Sequence, residues 1–404
     1  MIRNLKFLFW FIFLFFVTST AFAVEPPNIR VMVLDDLDDV VISARGHYQI
    51  IDPIHNMLIF EGDVLHKSRV LVHGNFIYVG KRFFRGSRLR INSNQDITVY
   101  LANDKHNRYR GSLDIIMKDK RKFMLVNHLD LETYIKGVLY HEITDRWPID
   151  AMKAQAVAAR SYAVYQASEN VKMDFDVKTN IYSQVYGGKN AERFRTSMAV
   201  DQTRNEVLVF ENKVLPAYFH SNCGDHTEDV AELWNHHGLS PLRGIPDPYS
   251  RFGKNYSWKK NFKSEDVQTR LNIKGHTIGQ IVNIEVIERN DSGRIRKIKI
   301  TDKDGGTLIL TGKDFRDILG PNDIRSNDYE VIMQGYYFDV VGKGWGHGVG
   351  MSQWGAYEMS KQGFDYKKIL EHYYPGADLV QLDSIKEPLK IDEPIELLNK
   401  TDLE

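Results

Sequence analysis

The chain has 404 residues, 43% hydrophobic and 26% charged, and its 53 basic and 53 acidic side chains cancel. That balance excludes wholesale disorder and a polytopic membrane protein, and at about 150 residues per domain the length allows two to three real cores. Zero net charge speaks against nucleic acid as the main ligand, because neutralising phosphates needs a surplus of Lys and Arg.

The first 23 residues read as an address. Arg3 and Lys6 precede an apolar run from Phe7 to Val17 and the ending Ala21-Phe22-Ala23. A basic start, an apolar stretch and an Ala-x-Ala ending describe a secretory signal peptide cleaved before Val24. The other reading, an uncleaved anchor, needs about 20 apolar residues. An exported protein, periplasmic or otherwise extracytoplasmic, is the expectation. Export makes the single Cys223 notable, since it can form no disulfide within the chain.

Residues 24–125 are β-rich. Short runs such as Ile29–Val33, Arg69–Val72, Ile97–Leu101 and Leu113–Met117 alternate with charged and Gly-containing turns, the pattern of a twisted antiparallel layer. From about Asn127 the period becomes helical, opening a core expected over 126–380. Leu131, Ile135 and Val138 share one helical face, and Glu142 prolongs that stripe, with Asp130 as N-cap. A carboxylate there should be partly desolvated, which raises its pKa. Its bland alternative is a helix-end carboxylate capping the next loop.

A second helix is expected over about 148–167. Its alanines make it slim, and Lys153 and Arg160, seven apart, share a face either as a solvated stripe or as a ligand clamp. A loop through Gln184 should feed a helix near 192–203, and Val207–Phe210 with Leu215–Phe219 should form a hairpin. A β-rich insertion is expected over about 240–335, with strands at 281–286 and 295–300. After about Asp378 the chain turns polar, and 381–404 reads as a poorly ordered tail. The fold class is α+β: an antiparallel β-rich N-terminal region and a mixed helical and strand core.

Three constellations could carry chemistry. Glu142 with Lys153 and Arg160 could pair a near-neutral acid with cations that orient a substrate. His220, Cys223 and His226 fall within seven residues, a donor set suited to zinc but one ligand short, or else a buried strand end. Glycines 344, 346, 348 and 350 alternate around Trp345 and His347 before Gln353, either as a site-lining loop or as a packing loop.

Together these segments resemble the stage II sporulation protein D family, which includes amidase-enhancer proteins. The resemblance rests on Tyr134–Glu142, Ala151–Ala163, Gln184–Gly187, Ala217–Gly224, Gly344–Ala356 and Tyr373–Gly376. It implies a peptidoglycan lytic transglycosylase that cleaves glycan strands lacking stem peptides and leaves 1,6-anhydro-muramic acid ends. Glu142 would then be the catalytic acid, with Lys153, Arg160, Gln184, Tyr256, His347 and Gln353 as substrate-binding positions. No cofactor is required on that reading; some members hold zinc near the Ser-x-x-Cys segment, so a structural zinc on His220, Cys223 and His226 is an open expectation. One carboxyl suffices, because the muramic acid C6 hydroxyl replaces the water that ordinary glycosidases activate with a second carboxylate. Expected partners are peptidoglycan glycan strands and a cell-wall amidase. Two rivals stand beside it: a glycan-binding enhancer of an amidase without activity of its own, and a zinc amidase using His220, Cys223 and His226 with Glu228 as base.

Overall fold

Twelve strands precede the first helix in the computed structural model, which describes residues 27–179, 184–234 and 239–385. The expected layer is two sheets. One has seven strands in the order Val177–Lys178, Asn28–Leu37, Phe123–Asp130, Ser112–Met117, Arg88–Ser93, Tyr48–Asp52 and Met57–Gly62. The other has six, built on Asp39–Ala44 paired with Leu65–His73. All the pairings are antiparallel except the edge pair Val31↔Val177, which is parallel. Alternating residues of both sheets, Val31, Ile42, Val70, Ile91, Val99 and Ile115 among them, are buried in one core. Each such side chain stabilises the fold by about 1.5–3 kcal/mol on burial.

That double sheet is the platform for the helices. The strand Phe123–Asp130 runs directly into α1 (Leu131–Glu142), and the Asp130 carboxylate accepts the Thr133 N–H at 3.0 Å as N-cap. α2 (Ile149–Glu169) follows at once and starts one residue after Pro148, which is its N-cap. Its alanines 151, 154, 156, 158, 159 and 163 are all buried, so close packing is what the small side chains serve. α3 (Phe194–Gln202) completes this group.

The expected hairpin is shorter than its sequence suggested. Glu206–Phe210 pairs with Lys213–Val214 only, through Glu211 and Asn212 at positive φ. Pro216 lacks the N–H a longer ladder would need. The other edge of Glu206–Phe210 pairs with Asp378–Gln381, and Leu382 is buried. Reading disorder from about Asp378 onward therefore needs correcting: residues 378–384 belong to the fold, anchored by Leu379, Val380 and Leu382 against apolar neighbours. The rest of the tail and the signal segment lie outside the described residues.

The β-rich stretch within the core has its own apolar cluster, from Trp258 to Val340. Its two three-stranded sheets carry α4 (Ser264–Ile273) and α5 (Gly312–Leu319), and its last strand runs to Lys343. The chain then passes through the glycine loop into α6 (Gln353–Lys361) and α7 (Tyr366–Tyr373). No helix among the described residues is long and apolar enough to cross a membrane.

Candidate active site

Glu142 is the last residue of α1, and everything upstream of it is fixed by packing. Leu131, Tyr134, Ile135 and Val138 are buried, while Lys136 turns outward to pair with Asp201 at 2.6 Å. Gly137 matters for a steric reason: a Cβ there would lie 2.4 Å from the Tyr186 ring. Its absence lets the segment 184–187 lie directly on α1, with the Gly187 N–H donating to the Gly137 carbonyl at 3.0 Å. The Val185 N–H consequently reaches the Glu142 carboxylate. From the other side Gln353 Nε2 donates to Glu142 Oε2 at 3.3 Å.

These two donors favour the charged carboxylate, but desolvation outweighs them and lifts the Glu142 pKa to about 7. No second carboxylate is among the groups that move it. A half-buried carboxyl poised between its acid and base forms at neutral pH, wedged between an amide and a backbone N–H, can protonate an ether oxygen and take a proton back.

Gln184 is completely buried and acts one step removed. It accepts from the Tyr134 hydroxyl at 2.9 Å and donates to the Ala159 carbonyl at 3.2 Å, which pins the segment carrying Val185 between α1 and α2. Lys153 is partly exposed on α2, its ammonium 5.6 Å from the Tyr366 ring centroid on the α7 side.

Arg160 has to be reassigned. It is 0% exposed, with its guanidinium forked onto Glu132 at 2.9 and 2.7 Å and bonded to the carbonyls of Glu206 and Val200. It lines no groove and faces no solvent. It ties α1, α2, α3 and the strand Glu206–Phe210 together, and a substrate could reach it only by displacing Glu132.

The glycine loop also differs from its expected role. All four alternating glycines have positive φ, and a Cβ at Gly350 would sit 2.0 Å from the Tyr218 carbonyl. The loop is threaded against residues 218–224, and both nitrogens of His347 are used in holding it there. Nε2 donates to the Phe219 carbonyl at 3.0 Å and Nδ1 accepts the Val349 N–H at 3.1 Å, and burial lowers its pKa to about 4. His347 thus shapes the loop and has no nitrogen left for a substrate. Tyr256 stands beside the same loop, its carbonyl accepting the Gly344 N–H and its hydroxyl donating to Asp225, which also pairs with Lys343 at 2.7 Å.

The proposed zinc donors do not converge. The Cys223 thiol lies 3.0 Å from Asp247 and 3.2 Å from Ser250, and burial with the facing Asp247 carboxylate pushes its pKa up. His226 Nδ1 bonds the Thr227 carbonyl, and His220 Nδ1 bonds that of Val349. Glu228 is buried against Asn290. Among the described residues no group of three His, Cys, Asp or Glu side chains could hold a metal ion.

Three features escaped the sequence reading. Glu132 looked like an ordinary first-turn acid. The Val185 N–H carries no side-chain signature. Trp147, Trp354 and Tyr357 pack against one another in tilted and edge-to-face contacts at 5.0–5.2 Å, Trp354 following Gln353 in the chain, and the signal for them was present in the tryptophan flanking each motif.

Residues 119–210 match a family model described as stage II sporulation protein, and 246–350 match one described as a domain of unknown function. An uncharacterized protein of Brachyspira hyodysenteriae is 36% identical over 287 residues, covering 70% of this chain and 75% of its own. The stage II sporulation protein D of Bacillus amyloliquefaciens is 31% identical, covering 64% and 76%. An amidase enhancer of Bacillus subtilis is 27% identical, over 61% of this chain but only 40% of that longer protein.

Proposed function

The chain belongs to the stage II sporulation protein D family, and from that premise we propose that it is a peptidoglycan lytic transglycosylase. A cell-wall role accompanies the membership. The observation that supports this reading is the placement of Glu142: desolvated at the end of α1, facing Gln353 and the Val185 N–H, with no carboxylate partner among the groups that perturb it.

In the first half of the reaction the Glu142 carboxyl gives its proton to the oxygen bridging two sugars as the C1–O bond breaks. The muramic acid C6 hydroxyl closes on C1, and its proton passes to the Glu142 carboxylate, which restores the acid and leaves a 1,6-anhydro end. Atoms and charge balance without water. Gln353 and the Val185 N–H stabilise the carboxylate that exists between the two transfers. Trp354 and Tyr357, both partly exposed and close to Gln353 in the chain, are aromatic side chains of the kind that contact sugars. Substrates are glycan strands lacking stem peptides, and the site of action is the extracytoplasmic envelope.

Mass spectrometry of denuded glycan strands after incubation tests this directly. Wild type should release 1,6-anhydro products, and Glu142→Gln should lower their rate by about 10²–10⁴-fold. Undiminished turnover by that variant would remove Glu142 from the mechanism. The relative named amidase enhancer favours a second reading, glycan binding that assists an amidase. Intact strands that co-sediment with the protein and stimulate an amidase would select it.

A further inference from the structure

Behind Gln353 lies a buried knot of hydrogen bonds centred on Asp247, which is completely buried. Its Oδ2 accepts from the Tyr373 hydroxyl at 2.9 Å, from Ser250 Oγ at 2.5 Å and from the Cys223 thiol at 3.0 Å. Its Oδ1 accepts the N–H groups of Tyr249 and Ser250 at 2.9 and 3.1 Å. Ser250 Oγ is 2.7 Å from Ser352 Oγ. Because the one Ser250 proton goes to Asp247, Ser352 must donate to Ser250. Ser352 Oγ is then left to accept the Gly355 N–H at 3.3 Å, which is the N-cap bond of α6.

The proton order therefore runs in one direction, from the first turn of α6 through Ser352 and Ser250 to Asp247. Only an acceptor-only carboxylate at the end of the chain satisfies five donors at once. The packing is as tight as the bonding, since a Cβ on Gly355 would fall 1.9 Å from the Tyr373 hydroxyl. Gln353, whose amide meets Glu142, sits one residue after Ser352.

We infer that Asp247 is a positioning residue for the acid: through Ser250 and Ser352 it fixes the first turn of α6 and so aims Gln353 at Glu142. The inference rests on the reading of Glu142 as the working acid. Asp247 touches no reacting atom. The titratable groups that face it are Cys223, Tyr373 and His372, and none of them is among the groups that move Glu142. Any influence of Asp247 on Glu142 must then travel through the hydrogen bonds rather than through their titration.

The test is the proton titration of the Glu142 carboxyl, followed by NMR of 13C-labelled Glu and assigned by the resonance that Glu142→Gln removes. Gln353→Leu deletes a bond to the charged carboxylate, so it should raise the proton affinity of Glu142. Asp247→Asn, which puts an amide donor among donors, should raise it in the same direction, by about threefold or more, half a pKa unit. The double variant should go no further than Gln353→Leu alone. An Asp247→Asn protein that folds with an unmoved Glu142 titration, or shifts that add, would overturn the inference. Should Asp247→Asn fail to fold, Tyr373→Phe removes a single donor and carries the same expectation at smaller size. The measurement needs no turnover. Coupled titrations in a protein without glycan-cleaving activity would sink the proposed function, and with it the catalytic meaning of the inference, while leaving the coupling of Asp247 to Glu142 through Gln353 in place; cleavage with uncoupled titrations would overturn the coupling and leave the proposed function.

Discussion

At the scale of single residues, the burial that raises the pKa of Glu142 also carries a cost to stability. Its pKa is about 7 in the folded protein against an ordinary 4.5, and burial is the main cause. Between those values the native state holds a proton that the unfolded chain has released, so stability falls as pH rises from about 4.5 to 7 and stays lowered above. Glu142→Gln removes the charge that burial penalises. Its thermal midpoint should match wild type at pH 4 and exceed it at pH 8, by a stabilisation of about 1–3 kcal/mol. Calorimetry at the two pH values checks this, and an equal midpoint at pH 8 contradicts it. Turnover by wild type should have an alkaline limb near 7, because the first step needs the protonated acid.

At the scale of elements, what was legible and what was not divide along sequence distance. α1 declared itself because its stripe and cap are local, α2 because its alanine-rich run is, and Glu142 followed from the α1 stripe. α4 and α5 were missed: each is short, and each relies on apolar residues one turn apart, Val267 with Leu271 and Phe315 with Leu319, among strands of similar composition. Arg160 could not be read because its partner, Glu132, lies 28 residues away on another helix. His347 resembled a free imidazole because its acceptor, the Phe219 carbonyl, lies 128 residues upstream.

The Arg160 pair makes a prediction at this scale. Arg160→Met leaves Glu132 buried without its cation, which should cost about 3–5 kcal/mol. Arg160→Lys should rescue little, since an ammonium cannot fork onto both oxygens. Chemical denaturation measures this. Native stability with weakened glycan binding would return Arg160 to the groove. Chelation belongs here too: with Cys223 turned to Asp247 and Ser250, prolonged incubation with EDTA should leave the thermal midpoint unchanged, and a fall would mean that a metal staples the Cys223 segment.

At the scale of the whole molecule, the segment with its own core is joined to the rest by buried bonds as well as by the exposed Arg296–Glu232 pair. Arg294, 2% exposed, donates to the carbonyls of His226 and Cys223 at 2.9 and 2.7 Å, and Asn290 donates to Glu228 at 2.8 Å. Arg294→Ala leaves those carbonyls unpaired and should loosen the 257–343 segment before the remainder melts. Hydrogen exchange should then show the strands Ile281–Arg289 and Ile295–Asp302 opening together, ahead of α1 and α2. Uniform loss of protection would mean that the molecule unfolds as one unit.

The bond between Gln353 and Glu142 spans 211 positions of the chain. A ribosome therefore delivers the acid long before the amide that holds it, and the strand that closes the structure, Asp378–Gln381, comes later still. Residues near each other in the sequence can order within microseconds, whereas pairings this remote wait until both partners have been made. An emerging fragment carries Glu142 without its setting. Timing alone thus leaves Glu142 without its amide partner until α6 has been made.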